Sequence, residues 1–269
     1  MTKHPSIVLT IAGSDSGGGA GVQADIKAIS ANGAYAASAI TAVTAQNTTS
    51  VTAVHEVPAG IVGAQIDAVL SDIDVGVIKL GMLFSVAIIE TTAKRLTAFN
   101  GPIIIDPVMI AKSGDALLQE AAVSALITHI LPHASLLTPN LPEAADLLNT
   151  SEATSTKEMA WQGQQLIEMG PKAVLMKGGH TTGGTCTDVL VDASGIVATF
   201  TAPRINTGNT HGTGCTYSAA IAAQLAQGCD LKEAVSVAHT YLQAAIKAAD
   251  SLQIGKGHGP VHHFHGQWG

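Results

Sequence analysis

Aromatic side chains are scarce in this chain, with 4 Phe, 3 Tyr and 2 Trp among 269 residues. Proteins that hold single-stranded nucleic acid stack its bases on exposed rings, and too few rings are present for that. The formal net charge of -7 also opposes a phosphate backbone, so nucleic acid is excluded as a partner. Cysteine is scarce too. Cys186, Cys215 and Cys229 form no C-x-x-C pair, and three widely spaced thiols make a poor disulfide framework. A reducing, cytoplasmic setting is expected. No apolar run approaches the roughly 20 residues that span a bilayer. The apolar stretch at residues 7–12 stops at Ser14-Asp15, too early for a secretion signal. No membrane partner is expected. Internal repeats, Pro/Ser-rich linkers and the G-x-x-x-x-G-K-[ST] phosphate loop are all missing. Residues 1–269 are therefore expected to form a single domain that is not a P-loop protein.

Small and apolar residues are abundant: 46% of the chain is hydrophobic and 28 residues are glycine. A chain of this length buries roughly three quarters of its unfolded surface, enough to fold without disulfides or a structural metal. Short β-like runs alternate with longer amphipathic or Ala-rich segments, the pattern of parallel strands joined by crossover helices. Strands are predicted near residues 6–12, 36–45, 75–80, 103–106, 135–137, 173–176, 187–191 and 197–201. Helices are predicted near 21–32, 59–71, 86–99, 116–130, 141–148, 157–169, 212–227 and 231–249. The last two strands flank Asp192-Ala193-Ser194-Gly195 and read as an antiparallel hairpin at one edge. The fold class is α/β, with a mostly parallel central sheet flanked by helices. Residues 255–269 shift toward Gly and His. Without helical spacing or a nearby Cys, His258, His262, His263 and His265 read as a mobile or loosely docked tail rather than a metal site.

Four segments carry candidate chemistry. The turn from Gly13 to Asp25 can bring backbone close to a ligand, and residues 17–20 are the candidate for mobility. Its Gly19-x-Gly21-x-x-Ala24 matches the dinucleotide fingerprint only loosely. The acid expected about 20 residues further on is missing, which argues against NAD. Asn209-Thr210-His211-Gly212-Thr213-Gly214-Cys215-Thr216 opens an Ala-rich helix. There several N–H groups and the helix dipole can converge on an anion. Lys177-Gly178-Gly179-His180 puts a cation and open backbone at a strand end, the edge where such sheets bind ligands. In Thr138-Pro139-Asn140-Leu141-Pro142-Glu143, the Asn and Glu lie one helical turn apart. They can face one hydrated cation or simply cap the helix.

Together with Thr10–Asp15, Thr44-Ala45-Gln46-Asn47, Lys79-Leu80-Gly81-Met82 and Asp106-Pro107-Val108-Met109, these segments resemble the ribokinase-like superfamily. Within it they are similar to the hydroxymethylpyrimidine/phosphomethylpyrimidine kinases of thiamine biosynthesis, over essentially the whole chain. The resemblance implies ATP and Mg2+ as cofactors, a homodimer, and two successive transfers. Phosphate goes first to the hydroxymethyl group of an aminopyrimidine and then to the resulting monophosphate. It also implies substrate contacts by Gly13, Ala20, Asp25, Gln46, Met82 and Val108. One side-chain amide complements a ring nitrogen beside an exocyclic amine, which suits Gln46. The implied metal-water ligands are Asp106, Asn140 and Glu143. The implied nucleotide contacts are Lys177, Asn140 and Thr213, with Gly212, Thr213 and Gly214 as the anion hole.

Cys215 stands where most of the superfamily has a basic Asp. A helix N-terminus favours the thiolate, which would make it a base near neutral pH, whereas nearby phosphates would raise its pKa. Cys215 is read as the catalytic base, with a purely positioning role as the competing reading. The competing functions are pyridoxal kinase, which also phosphorylates a hydroxymethyl group on a nitrogen ring, and a non-catalytic vitamin-precursor sensor.

Overall fold

Apolar, β-branched runs alternate with amphipathic segments along the chain, and a computed structural model shows them as strands and helices in turn. It describes residues 5–109, 120–179 and 183–268. The first half comprises β1 (Ile7–Asp15), α1 (Gly21–Ala31), β2 (Tyr35–Gln46), β3 (Val51–Glu56), α2 (Ala59–Asp72), β4 (Val77–Leu80), α3 (Val86–Leu96) and β5 (Ile103–Ile105). The second comprises α4 (Glu120–His129), β6 (Leu136–Leu137), α5 (Leu141–Leu148), α6 (Thr156–Ile167), β7 (Ala173–Met176), β8 (Thr185–Asp192), β9 (Gly195–Pro203), α7 (Thr213–Ala226) and α8 (Leu231–Lys247). The strands form one sheet in the order β3-β2-β1-β4-β5-β6-β7-β8-β9. From β2 to β7 it is parallel, and β3, β8 and β9 add antiparallel pairs at its two edges.

The central strands are buried on both faces, as parallel strands under crossover helices must be. All four residues of β4, β7 and the pair in β6 are shielded from solvent. One apolar layer joins the sheet to α2–α6 and a second joins it to α1, α7 and α8. Ala219, Ala220, Ile221, Ala222 and Ala223 of α7 are fully buried. Their small size lets this helix lie against β1, β4 and β5. Side-chain caps at Ser85, Asn140, Ser155 and Asp230 start α3, α5, α6 and α8.

Chain order reverses between β1 and β4, because β2 lies on one side of β1 and β4 on the other. Open α/β sheets bind ligands at such a switch point, outside the carboxyl ends of the strands. Residues 13–15, 46, 79–81, 106, 140 and 177 all follow or end strands there.

Two sequence expectations change. Strand β3 was not predicted, because it lies at an exposed edge and lacks the buried alternation that betrays a strand. The His-rich C-terminus is not a loose tail: residues 259–263 are buried. His262 donates its N–H to the Ala245 carbonyl, and the Tyr241 hydroxyl donates to the His263 carbonyl. The start predicted for the fourth helix, residues 116–119, lies outside the described residues, as does His180. No helix among the described residues is long and apolar enough to cross a membrane.

Candidate active site

Strand ends and the starts of α1, α5 and α7 enclose a cavity of about 1120 Å³. Gly13, Ala20, Gln46, Met82, Val108, Asp106, Asn140, Glu143, Lys177, Gly212, Thr213, Gly214 and Cys215 all line it. A further arm is walled by Cys186, Asp188, Tyr217, Leu242, Gln243 and Ile246. These were not singled out in the sequence, since they come from β8, α7 and α8 without a local motif.

At the β1–β2 end of the cavity, the Gln46 amide oxygen accepts from the Thr44 hydroxyl at 3.1 Å, and its nitrogen lies 3.5 Å from His211 Nε2. Asp15, which sequence reading did not place in the site, organises the glycine-rich turn. Its carboxylate accepts N–H bonds from Gly17, Gly19 and Ala20 and meets His211 Nε2 at 2.8 Å. Burial pushes the Asp15 pKa up, but His211 and those N–H groups outweigh it and hold the carboxyl below its usual range. Lys27 adds a 2.7 Å bond to the Gly18 carbonyl. Residues 17–20, the candidate for mobility on composition, are thus hydrogen-bonded from several sides in this structure.

Asp25 is also corrected. It does not line the cavity but lies beneath its floor, fully buried. Both of its oxygens are 2.9 Å from Lys79 Nζ, and Thr10 donates to one of them at 2.5 Å. Lys79 is fully buried as well. Burial acts to lower its pKa, and the Asp25 carboxylate outweighs that, so the ammonium is held charged.

At the β5–β7 end of the cavity, Lys177 Nζ meets Asp106 Oδ1 at 2.8 Å, and the Thr138 hydroxyl donates to the same oxygen at 3.2 Å. Burial lowers the Lys177 pKa, but Asp106 and Glu143 raise it further, keeping a cation at the end of β7. Asn140 and Glu143 form a reciprocal capping box: each side chain accepts the other's backbone N–H at 2.8 Å. Burial pushes the Glu143 carboxyl up to about 7, with Asp106 adding to the rise and Lys177 opposing it.

Gly212 begins α7 with φ 75°, and a Cβ there would stand 1.7 Å from the Gly19 carbonyl oxygen. Only glycine fits this left-handed, tightly apposed position. It sets the start of α7 at the cavity, where Gly212, Thr213, Gly214 and Cys215 line the wall and the first-turn N–H groups have no partner inside the helix. Cys215 sits in that turn. Helix position alone favours its thiolate, yet burial pushes the thiol up to about 12, with Asp25 and Asp106 adding to the rise and Lys79 opposing it. A thiol raised so far is almost entirely protonated at pH 8. Alkylation of Cys215 by iodoacetamide should therefore be slow at pH 7–8 and still climbing at pH 10. A rate that levels off below pH 9 would show a thiolate instead.

An open α/β sheet, a cation at one strand end and a glycine-started helix facing the same cavity define a ribokinase-like fold. A family profile described as phosphomethylpyrimidine kinase matches residues 15–262. A hydroxymethylpyrimidine/phosphomethylpyrimidine kinase of Rhizobium meliloti is 55% identical over 263 residues, 98% of each chain. Among solved structures, an ADP complex of Bacillus subtilis pyridoxal kinase superposes with a TM-score of 0.90 at 33% identity, covering 99% of this chain and 100% of the other. A phosphomethylpyrimidine kinase from Clostridium difficile gives 0.79 at 41% identity, covering 90% of this chain and 99% of the other. The chain belongs to the phosphomethylpyrimidine kinase family.

Proposed function

We propose that this protein transfers the terminal phosphoryl group of ATP to the hydroxymethyl group of 4-amino-5-hydroxymethyl-2-methylpyrimidine. A second transfer to the monophosphate then gives the diphosphate, within thiamine diphosphate biosynthesis. The observation that carries this reading is the single cavity. It joins an amide and an apolar wall, Gln46 with Met82 and Val108, to a cation and a helix N-terminus, Lys177 with Gly212–Gly214. Phosphoryl transfer relies mainly on positioning and charge neutralisation, and both ends supply these. Gln46 reads the aminopyrimidine edge, with Gly13 and Ala20 allowing close approach to the ring. Lys177, Asn140 and Thr213 hold the nucleotide phosphates, and the arm bounded by Leu242 and Ile246 takes the base.

Mg2+ fits the donor end. Asp106 Oδ1 and Glu143 Oε2 are engaged within the protein, while the other oxygen of each carboxylate has no hydrogen bond from the described residues. No group of three His, Cys, Asp or Glu among the described residues suits a metal alone. Mg2+ is commonly held by one or two carboxylates together with substrate phosphates and water. Asp106 and Glu143 would hold it, with the Asn140 oxygen occupied by the cap. Once bound, the ion neutralises phosphate charge. The family resemblance also implies a homodimer, which sedimentation measures. The three free cysteines suit the cytoplasm.

The high thiol pKa favours positioning over base catalysis by Cys215, because a resting thiolate is needed to take the proton of the acceptor alcohol. Cys215→Ala is therefore expected to slow both transfers to a similar extent. A loss confined to the first transfer, measured in single turnovers, would restore the base role. ADP release in the presence of the aminopyrimidine alcohol, its monophosphate and pyridoxal tests the activity itself. Turnover on pyridoxal alone would overturn the pyrimidine assignment, and no turnover on any would overturn the kinase reading.

A further inference from the structure

The Gly- and His-rich segment at residues 255–263 plays no part in the chemistry above, yet it touches both halves of the site. On the acceptor side it meets Thr48, two residues beyond Gln46. The Thr48 hydroxyl accepts the N–H groups of Lys256 at 3.2 Å and Gly257 at 3.1 Å, and its carbonyl accepts that of His258 at 3.0 Å. On the donor side it meets the loop that leads into Gly212. The Asn209 amide oxygen accepts the Gly259 N–H at 2.9 Å. His211 donates to the Gly259 carbonyl at 3.1 Å and accepts from Val261 at 3.3 Å, as a short parallel bridge. Asn209 is held from its other end, its amide nitrogen donating to Asp250 at 2.8 Å.

The segment is in turn fixed to the body of the protein. Thr216, in the first turn of α7, lies 3.0 Å from His263 Nε2. Burial lowers the His263 pKa to about 3, so the ring stays neutral and can accept the Thr216 hydroxyl proton. The spacing of its glycines follows from these contacts. A Cβ on Gly257 would stand 2.1 Å from the Thr48 carbonyl oxygen, and one on Gly259 would stand 2.4 Å from Asn209 Oδ1. Any larger residue at either position would push the strand away from its anchor.

We propose that residues 255–263 form a strap that fixes the acceptor-reading loop at the correct distance from the phosphate-binding loop. Thr48 and Asn209 are its positioning residues, and Gly257 and Gly259 allow the close fit. Neither anchor touches substrate; each acts through Gln46 or Gly212–Gly214. The inference rests on the kinase reading, because it is the in-line meeting of donor and acceptor that requires the two loops to be held together.

The test compares Thr48→Val, which keeps the shape but loses the acceptor oxygen, with Thr48→Ser, which keeps it. In the full chain, Thr48→Val is expected to lower kcat about tenfold, since small displacements from in-line geometry carry large rate penalties. KM for ATP should be little changed, and Thr48→Ser should restore kcat. Wild-type kcat in a folded Thr48→Val, or an equal loss in both variants, would overturn the proposal. Should Thr48→Val fail to fold, amide exchange in the wild-type protein decides. Slow exchange at residues 256–259 together with His211 supports the strap, and random-coil rates at 256–259 overturn it. A wild-type protein without turnover overturns the kinase reading and leaves the strap to the exchange result.

Discussion

Gly212→Ala should leave a folded protein that binds nucleotide but transfers phosphate roughly 10²- to 10³-fold more slowly, the cost of losing one preorganised anion donor. The added methyl group would stand 1.7 Å from the Gly19 carbonyl oxygen, and the φ of 75° disfavours any side chain. Backbone cannot swing aside as a flexible side chain can, so either the residue 17–20 turn or the start of α7 must shift. Either movement separates the anion hole from the acceptor. Single-turnover transfer and a nucleotide dissociation constant measured on the same preparation distinguish this from general damage. A transfer rate within about fivefold of wild type would show that the α7 N-terminus is not the anion hole, given the size of effect expected.

Lys79→Met should lower stability by about 3–5 kcal/mol, because it strands the Asp25 carboxylate in a site with no access to water. Lys79 and Asp25 are both fully buried, at 0% exposure, and their oxygen–nitrogen contacts are both 2.9 Å. The corresponding double replacement, Lys79→Met with Asp25→Leu, removes both charges and should recover most of that loss. Denaturant unfolding at pH 7 measures both variants. A single substitution that costs less than about 1 kcal/mol would mean that water reaches the pair, contrary to its burial.

The parts of the site that are local in sequence were legible from it. Glycines next to a helix start, a Lys at a strand end and an Asn-x-x-Glu cap each state their geometry within a few residues. The order of these motifs pointed to the ribokinase-like sheet before its strands were placed. Long-range pairings were not legible. Asp15 meets His211 across 196 residues, and Lys79 meets Asp25 across 54. A charged residue on a helix reads as solvated and the family resemblance implied a substrate contact for Asp25, and neither shows that it is the counter-ion of a buried lysine. The strap was hidden for the same reason. Its anchor on Thr48 lies 208 residues upstream of Lys256, and a Gly- and His-rich composition alone suggests looseness rather than a clamp. Strand β3 escaped because an exposed edge leaves no hydrophobic alternation to read.

The row of fully buried alanines in α7 makes the enzyme vulnerable far from its chemistry. Ala219, Ala220, Ala222 and Ala223 are all at 0% exposure on a helix packed against α1 and α8 as well as the sheet, so a larger side chain has to displace a neighbour. Ala223 lies some 15 Å along the helix axis from the start of α7 at a rise of about 1.5 Å per residue. In a survey of all single substitutions, this buried turn of α7 should rank with the candidate site loops in intolerance. The changes there would act by levering the helix start out of alignment, so activity should be lost before solubility is.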